Sequence, residues 1–536
     1  MLHLSPLRLR CCTIALLALS SGLALQAQKK ASKPAPKPAA HPAASGAHPA
    51  TVAHGPTTGG VHPTTASHPL AARGPMSHPG PARDREVRTA NGGAVRMRPN
   101  GRPADFHDPG RGMDIHHNLA GGGRRISVER ADHSRLVYER GRAGYIAHPY
   151  SFHGHEFARR VYYFHGRAYN RFYNPYFFHG VHFEVYAPYR FYSVGFYGWA
   201  YHPWLRPVPY AWGFGVNPWY GYYGGYFTPY PVYASPALWL TDYMISQSLE
   251  ANYEAAAAAG PPPPLGADVS PLSPDVKQMV ADEVQRQLAL ENSEAQLNMQ
   301  GQAPDPNSSS IARQLSDGQV HSFVAGAEVD VVDTTTGQEC AVTDGDVLQL
   351  TTPPAADASE AMLTVMSSKG GNECRKMAVV NVPLEDLQEM QNHMRETLDQ
   401  GLADLQTKQG KGGLPTAPPS AMAAPVDAAF TQGAPAPEPG GEQELLAESK
   451  QADQSEQELT SATASGPSAA AATDTPPPPA PAAPPASINI TPGQSIADVK
   501  AALGEPTRIV NLGTKSIYVY KDMKITFISG KVSDIQ

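Results

Sequence analysis

The residues His153-Gly154-His155-Glu156 are of types that could bind a metal. In an extended strand, residues two apart share a face. His153 and His155 would therefore point the same way, and His165 could join them from a paired strand. Three imidazoles would suit Zn, Cu or Ni. The helical zinc-hydrolase pattern is absent, because His155-Glu156 is followed by Phe157, Ala158 and Arg159, with no second histidine at the required place. Turn and surface histidines are the plainer reading, so no metal ion or other cofactor is expected.

A second set of residues could bind anions. Arg159, Arg160, Arg167 and Arg171 are interleaved with Tyr162, Tyr163, Tyr169 and Tyr173. Cations beside flat rings can grip anionic polymers, such as acidic polysaccharide or peptidoglycan. The competing reading is internal: rings pack across strands and arginines stack over them. No nucleic-acid-binding module is present, so no specific nucleic-acid partner is expected. Catalysis is not expected either. The chain has no Gly-x-Ser-x-Gly elbow and no P-loop. Asp330, Asp333, Asp344 and Asp346 lack EF-hand spacing, and Asp344-Gly345 is ordinary turn chemistry. An enzyme with an unrecognised site stays open as an alternative, as does a His-rich metal-binding protein.

Charge is distributed unevenly. The 536 residues carry 42 Lys+Arg and 49 Asp+Glu, a net charge of −7. Up to Arg206 there are 26 basic and 10 acidic residues; from Pro207 onward there are 16 and 39. Of the 44 aromatic residues, 35 lie between Tyr138 and Tyr233. Such a split argues against one uniform globular enzyme and for several modules.

The elements that must position these residues follow from pattern. Residues 1–27 read as a secretory signal: Arg8 and Arg10, an apolar run from Cys11 to Leu25, and Leu25-Gln26-Ala27 as the cleavage site. Removing it leaves Cys340 and Cys374, for which a disulfide is the default in an oxidising compartment. No later segment is long and apolar enough for a transmembrane helix. Residues 28–84 are His/Pro/Ala-rich and expected to be disordered. Residues 85–235 alternate like a β-meander, with Phe-His-Gly recurring at Phe152, Phe164 and Phe178 as strand end plus turn, and become irregular and ring-rich after Phe191. Helices are expected within 236–300, one capped by Ser273 and carrying Val276, Met279, Val280, Val284 and Leu288 on one face. Residues 319–382 suit a small SH3-like β-barrel of five short strands. An amphipathic helix fills 383–409, its stripe running from Leu384 to Leu405. Residues 410–486 read as a disordered Pro/Ala-rich linker. The fold class is thus multi-module and mainly β, with an α+β C-terminal module, isolated amphipathic helices and long disordered segments.

The module at 487–536 carries a resemblance. Gly493, Ser495, Val499, Leu503, Gly504 and Pro506 lie in a helix-start and helix-stop pattern followed by a meander. This pattern resembles the SmpA/OmlA family of small outer-membrane assembly lipoproteins, though no lipidation cysteine is present and one helix is seen where the family usually has two. The resemblance implies an α+β fold and a bacterial envelope setting. The whole chain also looks like bacterial secreted proteins with His-rich fronts and YGYYGGY-type segments. Together these readings predict a secreted protein of the periplasm, outer-membrane periphery or exterior. Its basic aromatic half would contact anionic envelope polymers, and its helices and C-terminal module would contact proteins.

Overall fold

A computed structural model describes residues 84–465 and 494–535, except 121, 179–180, 263, 267, 356–357, 497–498, 501–505, 507, 513–514, 521–523 and 529–530. The signal-like segment, nearly all of the His/Pro-rich segment, residues 466–486 of the stretch read as a linker, and Gly493, Leu503 and Gly504 of the C-terminal pattern lie outside the described residues.

Ten strands follow one another: β1 (Arg85–Arg88), β2 (Ala94–Met97), β3 (Pro103–Asp108), β4 (Met113–His117), β5 (Arg124–Glu129), β6 (Arg135–Glu139), β7 (Gly144–Phe152), β8 (His155–Phe164), β9 (Arg167–Phe178) and β10 (Val181–Ala187). They pair antiparallel in chain order as one sheet. The first two Phe-His-Gly repeats explain the tight β7–β8 and β8–β9 connections. His153 and Gly154 have φ of 49° and 81°, and His165 and Gly166 have 49° and 73°. Two successive positive φ angles make a type I′ turn, whose twist matches that of the flanking strands. Alternation then gives the sheet two buried faces. Val161 and Tyr163 pack with Ile126, Leu136 and Ile146 on one. Ala158 and Tyr162 pack with Val137, Tyr145 and Tyr173 on the other.

The ring-rich stretch holds β11 (Arg190–Phe191), α1 (Val194–Tyr201), β12 (Val208–Pro209), α2 (Pro218–Tyr222) and β13 (Val232–Tyr233). Its prolines and glycines keep these elements short. Trp204, Trp219, Tyr226, Phe227 and Tyr233 are buried there against Trp239 of α3 (Pro236–Ala259). Helix α4 (Pro274–Met299) begins at Ser273, whose hydroxyl accepts the Val276 amide at 3.3 Å. After α5 (Ile311–Ser316) come β14 (His321–Val324), β15 (Val329–Asp333), β16 (Glu339–Val342), β17 (Val347–Leu350), β18 (Glu360–Val365) and β19 (Val379–Pro383). They form a six-stranded antiparallel sheet in the order β14-β17-β18-β19-β15-β16. This is one strand more than expected, and β14 and β16 stand at its two edges, so the described pairings do not close a barrel. A Cys340–Cys374 disulfide joins β16 to the β18–β19 loop, with Cα atoms 4.9 Å apart. Helix α6 (Leu384–Lys408) buries its whole Leu/Met stripe and packs on β10, β14 and α3, while α3 also packs on α4. The helices are therefore not isolated: their apolar faces cover one another and the sheets. Among the described residues no helix is long and apolar enough to cross a membrane.

The stretch read as a linker contains β20 (Val426–Asp427), α7 (Ala429–Gln432) and α8 (Gly441–Ser465). Helix α8 lies on the meander. Leu445, Ala452 and Leu459, two helical turns apart, enter the cluster of Val95, Phe106, Ile115 and Ile126. A Cβ on Gly441 would fall 2.1 Å from the Tyr163 ring, so the helix start requires glycine for close approach. The C-terminal module forms β21 (Arg508–Leu512), β22 (Lys515–Val519), β23 (Lys524–Ile528) and β24 (Lys531–Ile535), again antiparallel in chain order. Val499 is buried there against Tyr518, Ile525, Phe527 and Val532.

A docked α8 makes a direct prediction. Leu445→Ala removes a 2% exposed side chain and should cost about 2–3 kcal/mol in urea unfolding. Leu446→Ala, at a 48% exposed neighbour, should cost less than about 0.5 kcal/mol. Equal, small effects at both positions would mean that the helix does not dock.

Candidate functional site

The three histidines do not converge. His153 lies in the β7–β8 turn and His155 begins β8, whereas His165 sits in the β8–β9 turn at the other end of β8. A ten-residue strand separates the two ends by about 30 Å. His153 and His165 instead stack on their preceding phenylalanines, with centroids 4.1 and 3.9 Å apart. The expectation put His153 and His155 on one strand face with His165 joining from a paired strand, but successive turns of a meander lie at opposite ends of the strand between them, here β8. His153, His155 and Glu156 line a cavity of about 720 Å³ with Phe157, Phe430 and Asn298. No group of three or more His, Cys, Asp or Glu that could hold a metal occurs among the described residues.

The arginines and tyrosines divide between the two faces of β8. On the α8 side, Arg159 is buried and pairs with Glu438 at 2.5 Å, and the Tyr163 hydroxyl donates to the Glu438 carbonyl at 3.0 Å. On the α6 side, Arg160 is buried between Glu184 (2.5 Å) and Glu389 (2.6 Å), and its guanidinium lies 3.9 Å from the Tyr173 ring centre. Tyr162 and Tyr173 share a hydroxyl–hydroxyl hydrogen bond of 3.0 Å, and Tyr173 donates onward to Glu396. Arg171 stacks between Tyr169 and Tyr189, 4.8 and 4.7 Å from their centres. Arg159 and Arg160 are thus spent inside the molecule on carboxylates, and Arg171 on rings.

Beside them a cavity of about 650 Å³ opens between the sheet, α3 and α6. Its sheet wall carries Arg125, Tyr145, Arg160, Tyr162, Arg167 and Tyr169; its helical wall carries Gln247, Glu254, Glu389, His393, Glu396 and Gln400. Tyr162 and Tyr169 are stacked, with centroids 5.4 Å apart and planes at 10°. Arg125 and Arg167 make no ion pair among the described residues. Burial raises the Glu396 carboxyl, with Arg171 and the Tyr173 hydroxyl opposing. Burial also pushes the Tyr162 and Tyr173 phenols well above their ordinary range, so both stay neutral hydrogen-bonding groups. Burial lowers His393, which keeps it a neutral imidazole 3.1 Å from the Ser248 hydroxyl. Such a wall offers flat rings, neutral hydrogen-bonding groups and two uncommitted cations. Arg125, Glu389, Glu396 and His393 were not singled out from sequence. Arg125 had no tyrosines beside it, and the other three lie on a helix whose meeting with the sheet is not encoded locally.

The chain matches no protein-family model, and no curated protein or solved structure is similar to it.

One buried contact near the sheet edge predicts a pH response. His116 of β4 lies 2.6 Å from Asp105 and 3.0 Å from Asp330, with Arg98 on Asp330 and Arg96 on Asp105. Burial alone would lower this imidazole, but the hydrogen bonds and charges of Asp105 and Asp330 hold it up at about 10. A raised folded-state value means that the stabilisation is complete below the ordinary histidine value of 6.5 and is lost as pH rises toward 10. The stability gap between wild type and His116→Gln, measured by urea unfolding, should be widest below about pH 6.5 and should close toward about pH 10. A gap that stays constant across that window would contradict the assignment. Taking the difference cancels the groups that both proteins share, such as Asp399, whose carboxyl burial raises to about 7.

Proposed function

We propose that this is an exported bacterial cell-envelope or surface protein that acts by binding and scaffolding rather than by catalysis. Its ligand is an anionic envelope polymer, an acidic polysaccharide, held at the mouth of the 650 Å³ cavity. The carrying observation is the pairing of two uncommitted arginines, Arg125 and Arg167, with the stacked rings of Tyr162 and Tyr169 on one wall. A sugar packs against the edges of the stacked rings, and its carboxylate finds a guanidinium. Arg159, Arg160 and Arg171 support this surface from within, orienting the sheet and its rings, and do not touch the polymer. The secretory pattern at 1–27 supports export, and the SmpA/OmlA-like pattern at 487–536 supports an envelope setting. Helices α4 and α6 are committed to internal packing, so the C-terminal module is the part offered to protein partners.

Binding of the full mature chain to an acidic polysaccharide should weaken steeply between low and physiological salt. Replacing both Arg125 and Arg167 with glutamine should weaken it at least about tenfold at low salt, because each lost charge-assisted contact is worth about 1.5 kcal/mol or more. Unchanged affinity in the double variant, or no binding by the wild-type chain at low salt, would overturn this reading.

A further inference from the structure

The β18–β19 loop carries a lysine and a glutamate four residues apart, and both turn inward onto the carboxyl of Asp346 at the start of β17. Lys369 Nζ contacts Asp346 Oδ1 and lies 3.3 Å from Glu373 Oε1. The three side chains are 3%, 2% and 8% exposed. Their surroundings fix each atom. The Thr343 amide donates to Asp346 Oδ2 at 2.8 Å. The Thr343 hydroxyl donates to Glu373 Oε1 at 2.6 Å, and the Ser368 hydroxyl donates to Glu373 Oε2 at 3.2 Å. The ring of Tyr226 closes the pocket 5.0 Å from Nζ, its own hydroxyl held by the Gly345 carbonyl at 2.8 Å.

We infer that Lys369 and Asp346 become joined by an amide bond between their side chains, formed by the protein itself with Glu373 as proton shuttle.

The chemistry balances without a cofactor. Moving one proton from the Lys369 ammonium to Asp346 Oδ1 gives a neutral amine facing a neutral carboxylic acid, and a dry site favours neutral partners over separated charges. The amine lone pair attacks Asp346 Cγ, and the carbonyl electron pair moves onto Oδ2, where the Thr343 amide stabilises it. Glu373 takes a proton from Nζ and delivers it to the Oδ1 hydroxyl, which leaves as water while the Oδ2 electrons re-form the carbonyl. Glu373 ends in the state in which it began; nothing is oxidised or reduced. Burial and the charge of Glu373 raise the Asp346 carboxyl, which favours its taking the proton from Lys369. Burial opposes the ammonium, but the two facing carboxylates keep Lys369 protonated most of the time, so the reaction is slow and occurs once per molecule.

A second buried pair in the same chain isolates what matters. Lys277 Nζ lies 2.6 Å from Asp242 Oδ1, and both side chains are buried. There the neighbours are the Tyr233 hydroxyl, the Tyr230 amide and the Thr228 carbonyl. No second carboxylate pairs with Lys277 among the described residues, so this pair has no shuttle and stays ionic.

Mass spectrometry of the full mature chain tests the inference. The wild-type protein, with its disulfide reduced, should be lighter than its sequence by one water. Protease digestion should release a branched peptide joining Lys369 to Asp346, and none joining Lys277 to Asp242. Glu373→Gln, which keeps the shape of the site, should carry the full mass, as should Lys369→Arg. A wild-type chain of full mass would reduce the site to an ion pair and overturn the proposal. A branched peptide that forms equally well in Glu373→Gln would overturn the shuttle role.

Discussion

Arginines of the ten-stranded sheet reach carboxylates that lie 202 to 347 residues later in the chain. Arg96 and Arg98 meet Glu339 and Asp330; Arg142 meets Asp344; Arg160 meets Glu389; Arg159 meets Glu438. Along α8, Arg111, Arg124 and Arg130 meet Glu458, Glu456 and Glu444. The basic and acidic parts of the chain are each other's counter-ions. Several of these pairs are buried on both sides, where a single unpartnered charge costs far more than an exposed one. The meander, with α8 on one face and α6 and the six-stranded sheet on the other, depends on that match. Apolar clusters such as that of Leu445, Ile126 and Leu136 supply the burial, and the charges set which segment lies where.

This arrangement shows which parts of the structure the sequence could convey. Strand alternation and Phe-His-Gly turns are local, so the consecutive hairpins of the meander can be read from residues alone. Ser273 as a helix cap and the Leu384–Leu405 stripe are local too. The charge imbalance was visible, but it pointed outward, to an anionic partner, because composition cannot say that the partner is the same chain. For the same reason α8 was read as linker. Its buried side carries one leucine or alanine per two turns, and most of its other residues are Glu, Gln, Ser, Ala and Thr, a pattern too sparse for an apolar face. Its docking is specified by Arg111, Arg124 and Arg130, far upstream. The cavity was illegible because its walls come from β5, β8, β9, α3 and α6, whose meeting no local signal records.

Internal neutralisation also narrows where binding can occur. An arginine held by two carboxylates offers little to a ligand, so the many cations of the sheet reduce to a few with free capacity. Arg125 and Arg167 stand at the cavity mouth, beside rings that are held flat by the Arg171 stack and the Tyr162–Tyr173 hydrogen bond. The buried charges thus serve as framework, and recognition falls to the rim.

The central claim is that long-range ion pairs hold the two parts of the chain together, and the Arg142–Asp344 contact tests it most directly. It is bidentate, at 2.6 and 2.7 Å, and Asp344 is fully buried. In a double-mutant cycle of Arg142→Met and Asp344→Asn, read by urea unfolding, Arg142→Met should cost about 3 kcal/mol because it strands the buried Asp344, and Asp344→Asn should cost less because Glu139 still pairs with Arg142 at 2.9 Å. The double variant should cost clearly less than the sum, with a coupling energy of about 1.5 kcal/mol or more. Additivity to within about 0.5 kcal/mol would show that the pair does not hold the sheet to its partner and would contradict the account.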